Sequence, residues 1–417
     1  MINKKLHTPE GVKDFNPEEF AYKRGIEKIA ETAFLSNGYR RVSTPTLEYS
    51  EVFKTTSEAD TEKYRFLSRE GDILVLRSDM TPPICRMAAT GYSDSDLPLR
   101  FYYVENMFRY NEKNQGKLRE MTQAGIELLG IEGIDGDCEV LICAISALLN
   151  LGLDDFKIDI GHSEFLEGAL SEAGVFGETA EKIKSAVADK NYVGVSEIIE
   201  NIDAEGEIKE FLCSLPLYLG GIEVLEKAEK IFKTEKPLNA VKYMKKLYDA
   251  LKDCGFDKYI CFDLGIVPQL DYYTGIIFRG YALGSGYSIL SGGRYDRLSA
   301  SFGRDFQAIG FILKINELIS VLKANGISFK DKKADTLLVY EEKAKGAALS
   351  AGIALRKNGM NIENFYGSID EGLEYAEKKG FVGVLYFKDS ESVKIYNVSE
   401  GEETVVGLSE LLEAEEN

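Results

Sequence analysis

The chain has 417 residues, with 50 Lys and Arg against 69 Asp and Glu, so its formal net charge is −19. This length exceeds what one compact core accommodates and predicts two or three domains, while 44% hydrophobic and 29% charged residues, with no apolar run of ~18 residues, exclude a membrane-spanning protein. The acidic balance also argues against a general affinity for nucleic acid, because phosphate binding needs clustered lysines and arginines.

The residue types also limit the chemistry. The first thirteen residues lack the apolar core of a signal peptide, and six cysteines in a chain this long do not form a disulfide framework, so we expect a cytoplasmic protein. The two histidines are His7 and His162. They argue strongly against a histidine-dependent triad or a multi-histidine metal site, and we expect neither a metal nor a cofactor.

The sequence predicts a mixture of helices and strands over the first 160 residues. Apolar residues at helical spacing predict a helix after Pro17 that ends at Asn37-Gly38. Further patterns predict, in chain order, strands at 39–42, 74–76, 99–108 and 125–129, a helix at 139–149 and a strand at 156–160. The period-two alternation of this last segment is typical of a half-buried strand.

The remaining chain divides into three parts. Helical spacing punctuated by glycines predicts a helical insertion, strand-like sequence returns from 260 to 310, and a strand–helix alternation near the end predicts a small α/β domain. That last part holds 8 basic and 17 acidic residues, a net charge of 8 − 17 = −9. We therefore predict a core at 1–162 and 256–325, a helical insertion at 163–255 and a C-terminal α/β domain at 334–417.

The clearest chemical pattern lies between Phe101 and Gly130, where a strand, a charged loop and a second strand follow one another. Arg109 ends the first strand. Gln123 and Glu127 lie four residues apart on the second strand, so both side chains project from one face. An arginine and a carboxylate that face one pocket can hold the two ends of an amino acid. The residues alone are equally compatible with a surface hairpin that carries a solvated charged loop.

This stretch resembles motif 2 of class II aminoacyl-tRNA synthetases and, more closely, that of histidyl-tRNA synthetase. Other segments resemble motifs of that enzyme in the same order. The helix before Gly38-Tyr39 and the strand that leads to Glu48 resemble its dimerisation element, 76–83 its substrate loop, 270–275 its histidine signature, and 292–296 with 308–311 its last catalytic strands and the start of motif 3. The resemblance implies an α+β fold: an antiparallel sheet flanked by helices, a helical insertion and a C-terminal domain similar to an anticodon-binding domain.

Three departures from the synthetase pattern remove or invert charge. Glu317 stands where motif 3 of the synthetase has an arginine that contacts ATP, and Pro268-Gln269 replaces an Arg-Gly pair that assists adenylate formation. In the motif 2 loop, Asn111-Glu112-Lys113 replaces Glu-Arg-Pro. Losing two cations that stabilise the transition state costs several kcal/mol, on the order of ten thousandfold in rate. The resemblance therefore implies a scaffold without the synthetase's catalysis.

The regulatory subunit of ATP phosphoribosyltransferase, a paralogue of histidyl-tRNA synthetase, matches both the scaffold and the missing arginines. The segment from Arg77 to Pro82 resembles its Asp-Met-Thr version of the substrate loop, and Gly161-His162 and Gly220-Gly221 are also similar to it. Ser78 and Ser291 depart from the family pattern, where proline and glycine are expected.

Membership of that family implies a non-catalytic chain. It would form a homodimeric core, assemble with the short-form catalytic subunit of ATP phosphoribosyltransferase and provide a route for feedback by histidine, without binding tRNA or membranes. The alternatives are an active histidyl-tRNA synthetase and an amino-acid-activating paralogue, and both need the arginines that are missing here.

The resemblance also implies a vestigial histidine pocket. Its residues would be Asp79, Thr81 and Gln123 around the α-amino group, Arg109 at the carboxylate, and Glu127 with Tyr273 at the imidazole. Adjacent residues on a strand face opposite ways, so at most one of Tyr272 and Tyr273 lines the pocket, and the family pattern favours Tyr273. The alternative is that these polar groups now satisfy one another.

Overall fold

The computed structural model describes residues 3–54, 63–110, 118–202, 206–268, 272–329 and 334–413. They belong to two compact units, Met1–Phe329 and Lys330–Asn417. Across the described parts of the chain, no helix combines the length and apolar character needed to cross a membrane.

Helix α1 (Pro17–Ser36) opens the first unit. The Asn16 side chain caps it by accepting a hydrogen bond from the Glu19 amide at 2.8 Å, and Pro17 occupies the first turn, where its missing N–H costs nothing. Gly38, with φ +83°, follows the helix end, as the sequence predicts. One face of α1, which includes Ile26 and Phe34, is fully buried.

In the rest of the first unit, strands and helices lie on both sides of a run of helices along the chain. The elements before that run are β1 (Arg40–Arg41), β2 (Leu47–Tyr49), β3 (Arg65–Leu67), β4 (Ile73–Leu76), α2 (Thr81–Gly91), β5 (Leu99–Phe108), β6 (Glu120–Leu129), α3 (Gly133–Asn150) and β7 (Phe156–His162). The run itself contains α4 (Ser163–Glu172), α5 (Gly177–Ala188), α6 (Tyr192–Glu200), α7 (Gly206–Ser214), β8 (Leu219–Gly220), α8 (Ile222–Ile231) and α9 (Glu235–Asp253). Then come β9 (Ile260–Asp263), β10 (Ile276–Ala282), β11 (Leu290–Arg294), β12 (Ala308–Lys314) and α10 (Ile315–Ala324).

A nine-stranded sheet in the order β1-β5-β6-β12-β11-β10-β7-β9-β8 organises this unit. The six strands from β5 to β7 pair antiparallel, while β1 and β9 join parallel to their neighbours β5 and β7. One face of the sheet packs under α1, α3 and the helical run, in a core that contains Phe34, Ile126 and Phe278. The other face packs against α2 and carries a smaller core around Met80 and Tyr103. This second face carries the site described below.

The second unit is a mixed five-stranded sheet with helices on both sides. Its elements are β13 (Thr336–Tyr340), α11 (Lys345–Lys357), β14 (Ile362–Asn364), α12 (Ile369–Lys379), β15 (Gly383–Phe387), β16 (Ser392–Asn397), β17 (Glu402–Gly407) and α13 (Leu408–Glu413), with sheet order β14-β13-β15-β16-β17. A reciprocal capping box between Ser368 and Glu371 starts α12. The sequence predicts four of the first five elements, namely β13, α11, α12 and β15. It does not predict the three-residue strand β14.

Two predicted elements are too short at their N-terminal ends. The second strand of the motif 2 region begins at Glu120 rather than Gly125, and the helix predicted from Glu139 begins at Gly133. Polar and glycine residues at these ends hide the extension from a reading of apolar periodicity, because tertiary pairing extends the elements beyond their apolar segments.

Candidate functional site

The site lies along a line of paired residues that crosses the sheet, and two of these residues are glycines without side chains. Glu127 on β6 pairs with Gly310 on β12, which pairs with Gly293 on β11. A methyl group at Gly310 would lie 2.0 Å from Glu127 Oε2, and one at Gly293 would lie 2.6 Å from the Tyr273 ring. The two glycines therefore leave the space that the Glu127 carboxyl and the Tyr273 ring occupy.

Glu127 is 2% exposed, and both of its carboxyl oxygens have partners. Oε1 accepts a hydrogen bond from Thr81 Oγ1 at 2.8 Å, and the Tyr295 hydroxyl donates to Oε2. Burial raises the pKa of Glu127 to about 8, the nearby Asp79 carboxyl adds to the rise, and the two hydrogen bonds oppose it. Glu127 is therefore mostly protonated at neutral pH.

This pKa predicts a pH-dependent stability that can be measured. The ordinary glutamate pKa of 4.5 applies in the unfolded chain, so between pH 4.5 and 8 the folded chain holds a proton that the unfolded chain has released. The free energy of unfolding should then fall as the pH rises through this window, by a few kcal/mol in total. Glu127→Gln keeps the shape without the charge and should flatten this dependence, as measured by urea unfolding at pH 5, 7 and 9.

The matched control is Glu226→Gln on an exposed face of α8. It should reproduce the wild-type pH profile. Parallel profiles for the wild type and Glu127→Gln would contradict a buried, proton-holding Glu127.

Asp79 lies beside Glu127 at the start of α2 and is also fully engaged. Its Oδ1 accepts from the Thr81 amide at 3.1 Å, and Oδ2 accepts from the Tyr272 hydroxyl at 2.8 Å. The prediction that at most one of Tyr272 and Tyr273 reaches the site is wrong. These residues precede β10 in non-strand backbone, so strand alternation does not apply and both rings reach the site. Leu270 and Asp271 of the same signature lie outside the described residues.

The other predicted pocket residues lie on the same face. Gln123 is 2% exposed and projects with Glu127 from β6, as the four-residue spacing predicts. Arg109 follows β5, and its Nε donates to the Ser78 carbonyl at 2.8 Å. Burial raises the pKa of the Tyr103 and Tyr273 hydroxyls, and the positive charge of this guanidinium partly opposes the rise. The structure thus brings together all six predicted pocket residues: Asp79, Thr81, Arg109, Gln123, Glu127 and Tyr273.

Three further residues of the site, Tyr103, Tyr272 and Tyr295, are absent from the sequence prediction as pocket residues. Tyr295 lies 168 residues from its partner Glu127. Tyr103 shares the face of β5 that is paired with Glu127, but this follows only from the register of the β5–β6 hairpin. Eleven residues separate the two strands, so no short turn in the sequence specifies that register.

The arginines that the resemblance to the synthetase predicts are replaced here by residues without a positive charge. Glu317 lies half-buried in the first turn of α10, and the preceding Asn316 accepts a hydrogen bond from the Thr122 amide at 2.8 Å. Pro268 is described, whereas Gln269 and Asn111-Glu112-Lys113 lie outside the described residues. In the described part of the chain, no cluster of three or more His, Cys, Asp or Glu side chains could hold a metal ion.

The chain is similar in sequence and in fold to known proteins. The family model described as histidyl-tRNA synthetase matches residues 11–318. An ATP phosphoribosyltransferase regulatory subunit from Acetivibrio thermocellus is 38% identical over 99% of this chain and 100% of its own length. The same subunit from Clostridium acetobutylicum is 41% identical over 77% of this chain and 80% of its own length.

A solved structure from Bacillus halodurans, described as an ATP phosphoribosyltransferase regulatory subunit/histidyl-tRNA synthetase, has a TM-score of 0.80 and 31% identity. The superposition covers 92% of this chain and 98% of the Bacillus halodurans chain. The predicted α+β, class II synthetase-like fold is thereby confirmed. The chain belongs to the family of ATP phosphoribosyltransferase regulatory subunits that are built on the histidyl-tRNA synthetase fold.

Proposed function

We propose that this chain is a non-catalytic regulatory subunit that assembles with the short-form catalytic subunit of ATP phosphoribosyltransferase. The complex would carry out the first step of histidine biosynthesis, with the reaction on the partner chain. The observation that carries this proposal is an acidic residue, Glu317, at the position where the resemblance places an ATP-contacting arginine of the synthetase.

The charges support the loss of synthetase activity. A carboxylate beside a polyphosphate repels it, and proline at 268 supplies no charge, so the site lacks the cations that adenylate formation requires. The C-terminal part of the chain has a net charge of −9, which disfavours binding to the phosphates of tRNA. Both features favour the regulatory role over a histidyl-tRNA synthetase or another amino-acid-activating enzyme.

The polar groups that remain have the chemistry to recognise a histidine-like effector. The Asp79 and Glu127 carboxyls lie at one end of the site, and the Arg109 guanidinium supplies a positive charge near Tyr273. This distribution of charge matches an α-amino acid with a polar side chain. We therefore propose that histidine binds here as the feedback effector.

A homodimeric core is part of the same proposal. The small antiparallel sheet β2-β4-β3 presents Leu47, Tyr49 and Phe66 on one face, 49%, 56% and 45% exposed. Exposed apolar residues that share one face are typical of an interaction surface. Strand β2 of this sheet overlaps the end of the dimerisation element identified by resemblance, so a second copy of the chain is its proposed partner.

Co-expression with a short-form catalytic chain tests the proposal. We expect one larger complex on size exclusion, phosphoribosyl transfer by the complex, and inhibition of that activity by histidine. The complex with Glu127→Ala should form equally well and lose most of its sensitivity to histidine, because the pocket then lacks its buried carboxyl. The control Glu226→Ala, on an exposed helix face, should behave like the wild type.

Separate elution of the two chains, with unchanged activity of the catalytic chain, would contradict the assembly. Normal histidine inhibition in the Glu127→Ala complex would place the effector site elsewhere.

A further inference from the structure

A cavity lies between the N-terminal half of α1 and strand β5, away from the site described above. Its volume is about 380 Å³, within the range of small-molecule sites, and cationic, polar and aromatic side chains line it. Val104 is one of the lining residues and belongs to the core under α1, whereas the adjacent Tyr103 belongs to the core around Met80. The cavity therefore lies on the face of the sheet opposite to the predicted histidine pocket.

The charges that line this cavity do not cancel. Lys23 and Arg24 share one carboxylate, because Glu27 Oε1 accepts from Lys23 Nζ at 2.6 Å and Glu27 Oε2 accepts from Arg24 Nη1 at 2.5 Å. The third cation, Arg77, is paired with Glu105 at 2.7 Å. Three cations against two carboxylates leave a surplus of one positive charge. This local surplus is opposite in sign to the net charge of −19 on the whole chain.

The surplus charge resides on Lys23 and Arg24 rather than on Arg77. The three nitrogens of the Arg77 guanidinium donate to two backbone carbonyls at 2.9 and 2.8 Å and to the Glu105 carboxylate at 2.7 Å. Arg77 is also 4% exposed, so these bonds fix it as a wall of the cavity. The cations that can turn to a ligand are therefore Lys23 and Arg24.

Lys23 and Arg24 also keep unused hydrogen-bond donors. An ammonium carries three N–H donors and a guanidinium five, and within the described part of the chain each group gives one hydrogen bond to Glu27. The Lys23 side chain is 11% exposed. A nearly buried cation is costly unless its charge and its donors are compensated, so this pair favours an anion beside it.

The composition of the cavity indicates which anion. A phosphate group offers three strong acceptor oxygens and is bound in proteins by the point charge of lysine and the planar fork of arginine, whereas a carboxylate offers two oxygens. At the mouth of the cavity, the Arg24 side chain is 51% exposed and Phe20 is 50% exposed. An apolar ring beside the cations can pack on the carbon skeleton of a phosphorylated ligand.

We propose that this cavity binds a small phosphate-bearing ligand. Lys23 and Arg24 hold the phosphate group, and the organic part of the ligand lies toward Phe20. The inference does not depend on the proposed effector role, because it concerns the opposite face of the sheet. The two sites nevertheless share one segment of chain, since Arg77 in the cavity wall is followed directly by Ser78 and Asp79.

The shared carboxylate provides two variants with opposite expected effects. Lys23→Met removes the surplus charge at similar side-chain length and should weaken phosphate binding about tenfold or more, because a charge-assisted hydrogen bond is lost. Glu27→Gln removes the negative charge beside the anion and should strengthen phosphate binding several-fold. A purely structural role of this cluster would not give opposite signs. Arg24→Gln, at the exposed mouth, should also weaken binding and does not disturb buried packing.

The experiment is calorimetric titration of the full chain with inorganic phosphate, ribose 5-phosphate and acetate. A phosphate-free buffer with about 150 mM sodium chloride screens weak attraction of ions to the surface. We expect one site with a dissociation constant of about 1 mM or tighter for inorganic phosphate, and binding of acetate at least tenfold weaker. Ribose 5-phosphate should bind more tightly than inorganic phosphate, and Phe20→Ala should remove this difference.

Thermal unfolding gives a second readout of the same site. Glu27→Gln leaves a buried cation without its carboxylate, so its ligand-free melting temperature should fall, and phosphate should raise that temperature more than in the wild type. The matched control is Lys182→Met on α5, where Lys182 and its partner Glu178 are 63% and 84% exposed. It removes the same charge from the molecule and should bind phosphate like the wild type.

Wild-type phosphate affinity in Lys23→Met or Arg24→Gln would overturn the inference, and so would weaker binding in Glu27→Gln. An equal loss of affinity in Lys182→Met would reduce the effect to net charge. Acetate binding as tight as phosphate binding, or equal affinities for ribose 5-phosphate and inorganic phosphate, would overturn the assigned ligand class. Absence of heat with both phosphate compounds would remove this site and leave the histidine proposal intact, because titration with histidine tests that pocket separately.

Discussion

Histidine-dependent exchange of pyrophosphate into ATP should be at least about ten thousandfold slower with this chain than with an active synthetase of the same fold. Two cations that stabilise the phosphoryl charge in the transition state are absent, because Glu317 and Pro268 stand at their positions. The measurement is isotope exchange between pyrophosphate and ATP with the purified chain and saturating histidine, compared with a histidyl-tRNA synthetase under the same conditions.

Restoring one charge should not restore exchange. Glu317→Arg supplies a cation at motif 3 but leaves Pro268 and Glu112 in place. Groups that act together on one transition state are strongly non-additive. Exchange at a normal synthetase rate in the wild type, or its recovery in Glu317→Arg, would contradict the regulatory function proposed above.

Asp137→Ala should lower the free energy of unfolding of the first unit by about 3–5 kcal/mol. Asp137 is 0% exposed; its Oδ1 accepts from Arg294 Nε at 2.8 Å, and its Oδ2 accepts from the Tyr243 hydroxyl at 2.6 Å. The substitution leaves the buried Arg294 and the half-buried Tyr243 hydroxyl with fewer partners. Because these groups join α3, β11 and α9, the loss should appear in denaturant unfolding of the whole unit.

Two variants test the physical cause of this loss. Glu167→Ala breaks an ion pair with Lys236 in which both side chains are exposed, and it should cost less than about 1 kcal/mol. Asp137→Leu combined with Arg294→Met removes the buried pair completely and should be less damaging than Asp137→Ala alone. A loss below about 1 kcal/mol in Asp137→Ala would show that the buried pair does not stabilise the unit.

Local patterns in the sequence are sufficient for much of the fold. The helix after Pro17 and the strand from Leu99 to Phe108 occur as predicted, since their apolar spacing and end residues act within a few positions. The placement of Gln123 and Glu127 on one face is also correct, because alternation along a strand is a local property.

The absence of cations at Glu317 and Pro268 is likewise a fact of the sequence alone, because a missing charge requires no coordinates. The family resemblance turns that absence into a statement about function.

The closed hydrogen-bonded site depends on tertiary structure. Tyr295 reaches Glu127 across 168 positions, and Arg294 reaches Asp137 across 157, because the β11–β12 and β6–β12 pairings bring distant strands together. The register of these pairs is set by packing over the whole sheet rather than by any local residue pattern. The raised pKa of Glu127 has the same origin, since burial is a property of the assembled fold. The sequence by itself therefore determined elements with strong local patterns, such as α1 and β5, and the missing charges. Only the tertiary structure decided which polar groups satisfy one another and which, as at Tyr103, remain unpaired.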